Sequence, residues 1–170
     1  MSLSLSMLSE GDWVVHRQYG IGQIKEREQR SISGVTAEYY KVKTPDSIIW
    51  LPVEKIDNSW FRPIASATEI NEAITILSEP ASLMDPNFMS RKERIQQVQT
   101  ENSVPAIAKL IRDLWGRQQH KSLSMTEQRA LRRLKDRLAT EWAVATNKKQ
   151  AAILDELQTL LEKNRYPPMQ

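Results

Sequence analysis

The spacing of apolar residues changes near residue 65, and this change constrains the fold more than any other feature of the chain. Before it, short apolar runs alternate with polar residues and are separated by turn residues, as is typical of β-strands. After it, apolar residues recur every three or four positions, which is typical of amphipathic helices. A chain of 170 residues is long enough for two small domains. We therefore predict an α+β protein with one domain over residues 1–65 and a second over 66–165.

The first domain is predicted to be a small antiparallel β-barrel of the SH3 or Tudor-like kind. Five short strands are expected at residues 13–16, 23–29, 37–43, 48–53 and 60–64. The sequence Thr44-Pro45-Asp46-Ser47 is a hairpin turn pattern between the third and fourth strands. Pro52 marks the fourth strand as an edge strand or a bulge, because proline has no N–H to give to a neighbouring strand.

The second domain is predicted to be all-α, with about five helices. Three Ser-x-x-Glu capping boxes and one Ser-x-Pro pattern indicate where helices begin. The predicted starts are Ser66, Ser90, Ser103, Ser124, and Thr146 or Asn147. Trp115 and Trp142 fall on apolar stripes, and we expect both to pack in the helical core.

Composition argues against several classes of function. The chain has no cysteine and two histidines, His16 and His120, which leaves no thiol nucleophile and no cysteine-rich or histidine-rich metal site. The Gly20-Ile21-Gly22 step lacks the third glycine and the helix of a dinucleotide-binding loop. His16 lies in an apolar strand and is predicted to be structural. We therefore expect no catalytic residue, no metal and no cofactor.

The same composition bears on location. No apolar run approaches the roughly 20 residues needed to cross a bilayer, so no membrane partner is expected. A cytoplasmic protein fits the absence of cysteine and of a credible signal peptide.

Charge is segregated between the two halves of the chain. Residues 1–84 carry 8 basic and 11 acidic residues, whereas residues 85–170 carry 16 basic and 10 acidic residues. Arg129, Arg133 and Arg137 recur every four residues, so they share a helical face that Arg132 flanks. Two interpretations remain open: this half contacts phosphate groups, or its surface is that of an ordinary solvated helical domain.

A second basic cluster follows two large apolar residues. Phe88 and Met89 directly precede Ser90, and Arg91, Lys92 and Arg94 come next. Apolar residues beside basic ones are found where a protein inserts a wedge between DNA bases. The same two residues could instead staple the start of a helix onto the core. The sequence leaves both interpretations open.

Several of these motifs together resemble one known family. The segments GDWVVH (11–16), YGIG (19–22), EYYKV (38–42) and LPV (51–53) resemble the polymerase-interacting domain of the CarD/CdnL/TRCF family, which also occurs in transcription-repair coupling factors. The segments IRDLW (111–115), LSMTE (123–127) and EWA (141–143) resemble the helical domain of the CarD-like bacterial transcription regulators. The resemblance covers roughly residues 8–162.

The resemblance implies a partner for each domain. In this family the Tudor-like barrel pairs through an exposed strand edge with the β subunit of RNA polymerase, at its protrusion or β1 lobe. By position, the candidate polymerase-binding residues are Arg30, Trp50, Leu51 and Pro52. Many family members have a basic or polar residue where this chain has Trp50, so apolar contact could replace a polar one here.

The helical domain is implied to touch double-stranded promoter DNA, mostly independently of sequence, at the upstream edge of the transcription bubble. Its candidate DNA-binding residues are Phe88, Met89, Arg91, Lys92, Arg94, Gln128, Arg129, Arg132 and Arg133. Many family members carry a tryptophan wedge where this chain has Phe88-Met89. The resulting hypothesis is a nucleoid-associated, non-enzymatic regulator that stabilises the open promoter complex. The alternative is a protein-only adaptor that docks on polymerase or on a repair factor without touching DNA.

Overall fold

The computed structural model describes residues 8–54 and 61–163. The chain divides into two compact units between Ile64 and Ala65. Trp60, which the sequence places in the fifth strand, lies outside the described residues.

The first unit contains one five-stranded antiparallel sheet. Its strands are β1 (Trp13–His16), β2 (Gly20–Ile32), β3 (Val35–Lys43), β4 (Ile48–Pro52) and β5 (Phe61–Pro63). They lie in the order β4-β3-β2-β1-β5, so β4 and β5 form the two edges. The predicted antiparallel strands are confirmed, but β4 and β5 do not pair within the described residues and the sheet is open there. A closed barrel would need a ladder between these edges, and β5 is only three residues long.

The β2–β3 hairpin is the longest feature of this sheet. Ser33 and Gly34 at its tip have φ angles of 53° and 79°, as a two-residue hairpin turn with two left-handed residues requires. Near the base of the hairpin, a Cβ atom on Gly22 would lie 2.5 Å from Val42 Cγ1, so any other residue would force the neighbouring strand to shift. The Gly20-Ile21-Gly22 step therefore serves strand packing.

His16 closes the turn between β1 and β2. Its Nδ1 accepts hydrogen bonds from the backbone N–H groups of Gln18 (3.0 Å) and Tyr19 (3.1 Å). Its ring lies 4.6 Å from the Phe61 ring, centre to centre, in an edge-on contact. This arrangement matches the structural role predicted from the sequence.

The second unit contains five helices among its described residues. They are α1 (Ala67–Ser78), α2 (Phe88–Glu101), α3 (Val104–Gln118), α4 (Met125–Thr146) and α5 (Gln150–Lys163). Ser66, Ser103 and Ser124 are N-caps as predicted, and the capping boxes at Ser66 and Ser124 form both of their reciprocal hydrogen bonds. Each box satisfies N–H groups that the first turn of a helix leaves without a backbone partner.

Two of the predicted helix starts are wrong. Thr146 is the last residue of α4 and Asn147 is its C-cap, so neither begins α5, which starts at Gln150. Ser90 does not begin a helix either. The N-cap of α2 is Asn87, whose Oδ1 accepts from the N–H groups of Met89 (2.8 Å) and Ser90 (3.3 Å). Asparagine is at least as good an N-cap as serine, so the helix begins three residues earlier. As a result, Phe88 and Met89 lie in the first turn of α2.

The helical core is built around α3 and α4. Trp142 is 1% exposed and packs with fully buried leucines of both helices, as predicted. Trp115 packs only at the rim of this core, and Lys135 Nζ lies 5.6 Å from the centre of its ring. Across the described stretches, no helix is both long and apolar enough to cross a membrane.

Candidate nucleic-acid and strand-edge surfaces

Three buried carboxylates hold the helical unit together. Asp113, Glu127 and Glu141 are each at most 3% exposed. Glu141 Oε1 accepts a hydrogen bond of 2.8 Å from the backbone N–H of Ala65, which fixes the chain as it enters α1. Because burying a charge is costly unless it is paired, each carboxylate determines where nearby donors must lie.

Glu127 is the carboxylate that joins α2 to α4. Its Oε1 accepts from Arg91 Nε at 2.5 Å, and its Oε2 accepts from the Ser124 N–H at 2.8 Å. Arg117 Nε lies 3.8 Å away from Oε1 and has no hydrogen bond of its own. Burial raises the pKa of Glu127, but the hydrogen bonds from Ser124 and Arg91 outweigh burial, and the pKa lies below its ordinary value.

The predicted DNA-binding residue Arg91 is used inside the domain. Its side chain is 8% exposed, and its NH1 group also donates to the carbonyl oxygens of Asp85 (3.0 Å) and Pro86 (2.8 Å). The guanidinium has little surface left for a phosphate group. The signal for this burial is in the sequence, because Arg91 precedes Ile95 by four residues and Val98 by seven, on the inward face of α2.

Arg94 is also committed to an internal partner. Its NH2 group donates to Asp113 Oδ2 at 2.8 Å, and its side chain is 34% exposed. Asp113 Oδ1 accepts in addition from Arg112 Nε and from the Ser82 N–H, both at 2.9 Å. Arg94 therefore neutralises a buried acid, which weakens the case for a direct role in DNA binding.

Three of the remaining four basic candidates line a groove between α2 and α4, which we call the α2–α4 groove. The groove has a volume of about 350 Å³. Its lining residues are Lys92, Ile95, Gln96, Gln99, Thr126, Arg129, Ala130 and Arg133. Among the ion pairs of residues 8–54 and 61–163, none involves Lys92, Arg129 or Arg133, and none of the residues that line the groove is acidic.

Gln128 and Arg132 face a different side of α4. With Gln118, Lys135, Asp136 and others they line a separate concavity of about 290 Å³. Gln128 Nε2 donates to the Leu123 carbonyl oxygen at 2.9 Å, so its amide stabilises the start of α4. The structure thus divides the predicted α4 candidates between two surfaces.

Phe88 and Met89 differ in how much of each is free. The Phe88 ring centre lies 5.8 Å from the Arg91 guanidinium, and the residue is 40% exposed, so it covers part of the buried ion pair. Met89 is 56% exposed. Phe88 is therefore engaged with Arg91, whereas Met89 presents most of its side chain to solvent.

In the first unit, the outer edge of β4 is unpaired in the part of the chain that the structure describes. Bonds from Val53 N–H to the Glu38 oxygen (3.0 Å) and from Thr44 N–H to the Ser47 oxygen (2.9 Å) fix the β3–β4 ladder. Since strand residues alternate, the backbone polar groups of Ile48 and Trp50 point away from β3. Pro52 stands at an outward-pointing position, where its missing N–H removes no bond from the sheet.

Three side chains form one cluster beside this edge, which we call the edge cluster: Glu28, Arg30 and Trp50. Trp50 Nε1 donates to Glu28 Oε1 at 2.6 Å. The Arg30 guanidinium carbon lies 4.0 Å from the centre of the Trp50 ring, and Arg30 NH1 lies 3.6 Å from Glu28 Oε1. Leu51, the neighbouring candidate, instead packs against the sheet core.

Comparison with protein-family models agrees with this two-part architecture. Residues 8–65 match the model of the CarD-like/TRCF RID domain, and residues 72–158 match the model of the CarD C-terminal domain. The matches follow one another along the chain, and the second alone spans more than half of it. The protein therefore belongs to the CarD/CdnL family of transcription regulators that interact with RNA polymerase.

Proposed function

We propose that this protein bridges the RNA polymerase β subunit and promoter DNA during initiation. The free edge of β4 binds the β1 lobe, and the α2–α4 groove binds the phosphate backbone at the upstream edge of the transcription bubble. Simultaneous binding stabilises the open complex. The observation that carries the proposal is the set of cations in the groove, Lys92, Arg129 and Arg133, which form no ion pair with the described residues and share the groove with no acidic residue.

The groove fits phosphate because of how its cations are arranged. They come from two helices whose relative position is fixed by the buried Arg91–Glu127 pair. The other lining residues that are polar, Gln96, Gln99 and Thr126, are uncharged hydrogen-bonding groups. Contacts of this kind position a protein on DNA without reading sequence, and they become weaker as salt concentration rises.

Met89 is the better candidate for a wedge against an unstacked base pair. It is more exposed than Phe88, which is engaged with Arg91. Apolar side chains, methionine among them, can enter a base step that is already distorted. Methionine has no aromatic face for stacking, so we expect phosphate contacts to supply most of the binding energy at the bubble edge.

Binding of the β4 edge to polymerase is proposed to occur by strand addition. The outward N–H and C=O groups of Ile48 and Trp50 can extend the sheet by one strand from the partner, and side chains on alternate positions then select the partner. Once the first unit is docked on polymerase, the local concentration of the helical domain near DNA is high, so weak DNA binding is sufficient.

A charge-reversal experiment tests the proposal. The variant Lys92→Glu/Arg129→Glu/Arg133→Glu is expected to lose stabilisation of open complexes while its binding to polymerase is unchanged. A matched control reverses three exposed lysines that do not line the groove, Lys109, Lys121 and Lys149. Both variants change the net charge equally, so a general electrostatic effect would appear in both.

The salt dependence of DNA binding gives a second measurement. Each lost phosphate contact reduces the slope of log K against log salt by about 0.9, so the groove variant should lose about 2.7 of that slope and the control much less. If the groove variant still stabilises open complexes as well as wild type does, the protein is the alternative, a protein-only adaptor. Arg132→Glu, measured alone in the same open-complex assay, tests whether the second concavity of α4 also contacts DNA.

A further inference from the structure

We propose that Glu28 is a positioning residue for polymerase docking, and that the edge cluster selects a partner strand with an apolar side chain opposite Trp50. This inference rests on the proposed docking of the β4 edge. Glu28 does not itself lie on the edge strand, because it belongs to β2 and β3 stands between β2 and β4.

The geometry shows how Glu28 acts on the edge. One of its carboxylate oxygens accepts the Trp50 indole N–H at 2.6 Å, and the same oxygen lies 3.6 Å from Arg30 NH1. Arg30 in turn lies over the indole face at 4.0 Å. An indole with one face covered and its N–H bound has few alternative rotamers, so less side-chain entropy is lost when a partner strand binds.

The chemistry of the partner follows from charge and exposure. Two ion pairs lie on the same face of the sheet as Trp50, Glu28 with Arg30 and Glu26 with Lys41. Trp50 is 38% exposed. A strand added beside β4 places one side chain directly opposite Trp50 on the same face, and aromatic rings pair best there with β-branched or aromatic residues. A carboxylate at that position would find no unpaired cation in the cluster.

A double-mutant cycle on full-length protein tests the role of Glu28, with cognate core RNA polymerase as the partner. Glu28→Gln is expected to weaken binding about threefold to tenfold, because a charge-assisted hydrogen bond becomes a neutral one. The matched control is Glu26→Gln, which removes an acid from the same strand that pairs with Lys41; it should change the Kd less than about twofold. Trp50→Phe keeps the ring but removes the N–H, so most of the Glu28→Gln effect should vanish in that background.

Each outcome has a clear meaning. If Glu28→Gln behaves like Glu26→Gln, or retains its whole effect beside Trp50→Phe, Glu28 does not position Trp50. Trp50→Glu reports on docking itself: if it binds polymerase as well as wild type, the β4 edge is not the docking site and the proposed strand addition fails. If the side chain opposite Trp50 is apolar, salt should have little effect on docking. The Kd of the groove variant for polymerase should then change less than about threefold between 50 and 200 mM salt. A larger change would show that the partner side chain is not apolar.

Discussion

The substitution Glu127→Gln isolates the energetic role of one buried charge. Glutamine has nearly the same shape as glutamate and can still accept the Ser124 N–H, so the capping box at the start of α4 survives. What disappears is the negative charge beside Arg91, whose side chain is 8% exposed. The substitution therefore leaves a buried guanidinium without its counter-ion.

The expected cost can be worked out from this geometry. Removing one partner of a buried ion pair typically costs about 3–5 kcal/mol. Arg91 keeps two carbonyl acceptors, those of Asp85 and Pro86, which places the cost near the lower limit, at about 3 kcal/mol. Typical domains have a free energy of unfolding of about 5–15 kcal/mol, so the variant should still fold at 25 °C.

Urea denaturation followed by helical circular dichroism measures this change. The matched control is Glu69→Gln, because Glu69 holds the same capping-box position in α1 but makes no ion pair in the described part of the chain. We expect the control to cost less than about 0.5 kcal/mol. If Glu127→Gln costs no more than the control, the Arg91–Glu127 pair does not stabilise the domain and the reasoning is refuted.

Three further predictions follow from the same structure. Burial alone would raise the pKa of Glu127, but the hydrogen bonds to its carboxylate lower this pKa overall, so the charged carboxylate stabilises the fold above about pH 4.3 and loses that effect as pH falls through the lower folded-state pKa. The difference in unfolding free energy between wild type and Glu127→Gln should therefore become smaller on acidification. A difference that does not change with pH would contradict this. Gly22→Ala places a Cβ 2.5 Å from Val42 Cγ1 and should lower the free energy of unfolding of the first unit by about 1–3 kcal/mol; a loss under about 0.5 kcal/mol would be the contrary result. Asp113→Asn removes the acid that Arg94 and the buried Arg112 share and should destabilise the helical unit by about 3 kcal/mol in the same urea assay; a loss under about 0.5 kcal/mol would contradict this.

Local patterns predicted the helix starts well where a single cap was available. The boxes at Ser66 and Ser124 each have no better N-cap within the preceding turn, and both form as expected. At Ser90 the same pattern occurs by coincidence inside a helix. Asn87 satisfies the first N–H groups before Ser90 is reached, so two local signals compete and the stronger cap determines where the helix begins.

The site was predicted less well, because neighbours in sequence were grouped as neighbours in space. Arg91 and Lys92 are adjacent, yet helical geometry turns Arg91 inward with Ile95 and leaves Lys92 in the α2–α4 groove. Glu127 likewise precedes Leu131 by four residues on the inward face of α4. Opposite charges at inward positions of two helices indicate a buried pair, and this signal was available from periodicity alone.

The groove itself could not be derived from the sequence. It depends on which helices become neighbours, and helical periodicity defines a face without identifying what packs against it. The edge cluster could not be predicted either, because the sequence does not show which strands become neighbours. Glu28 and Trp50 are 22 residues apart, and they meet only because β3 has a definite register with both of its neighbours.

The long separations bridged by the buried carboxylates bear on how the chain folds as a ribosome makes it. The backbone N–H of Ala65 has its acceptor, Glu141, only after 76 more residues have been synthesised. The helical core is complete only when Leu161, a buried leucine of α5, has been added. By contrast, every paired residue of the sheet lies at or before Pro63. At typical elongation rates of 5–20 residues per second, roughly 5–20 s pass between the synthesis of Pro63 and that of Leu161. Throughout that interval a nascent molecule could already present the β4 edge while its helices are still unassembled.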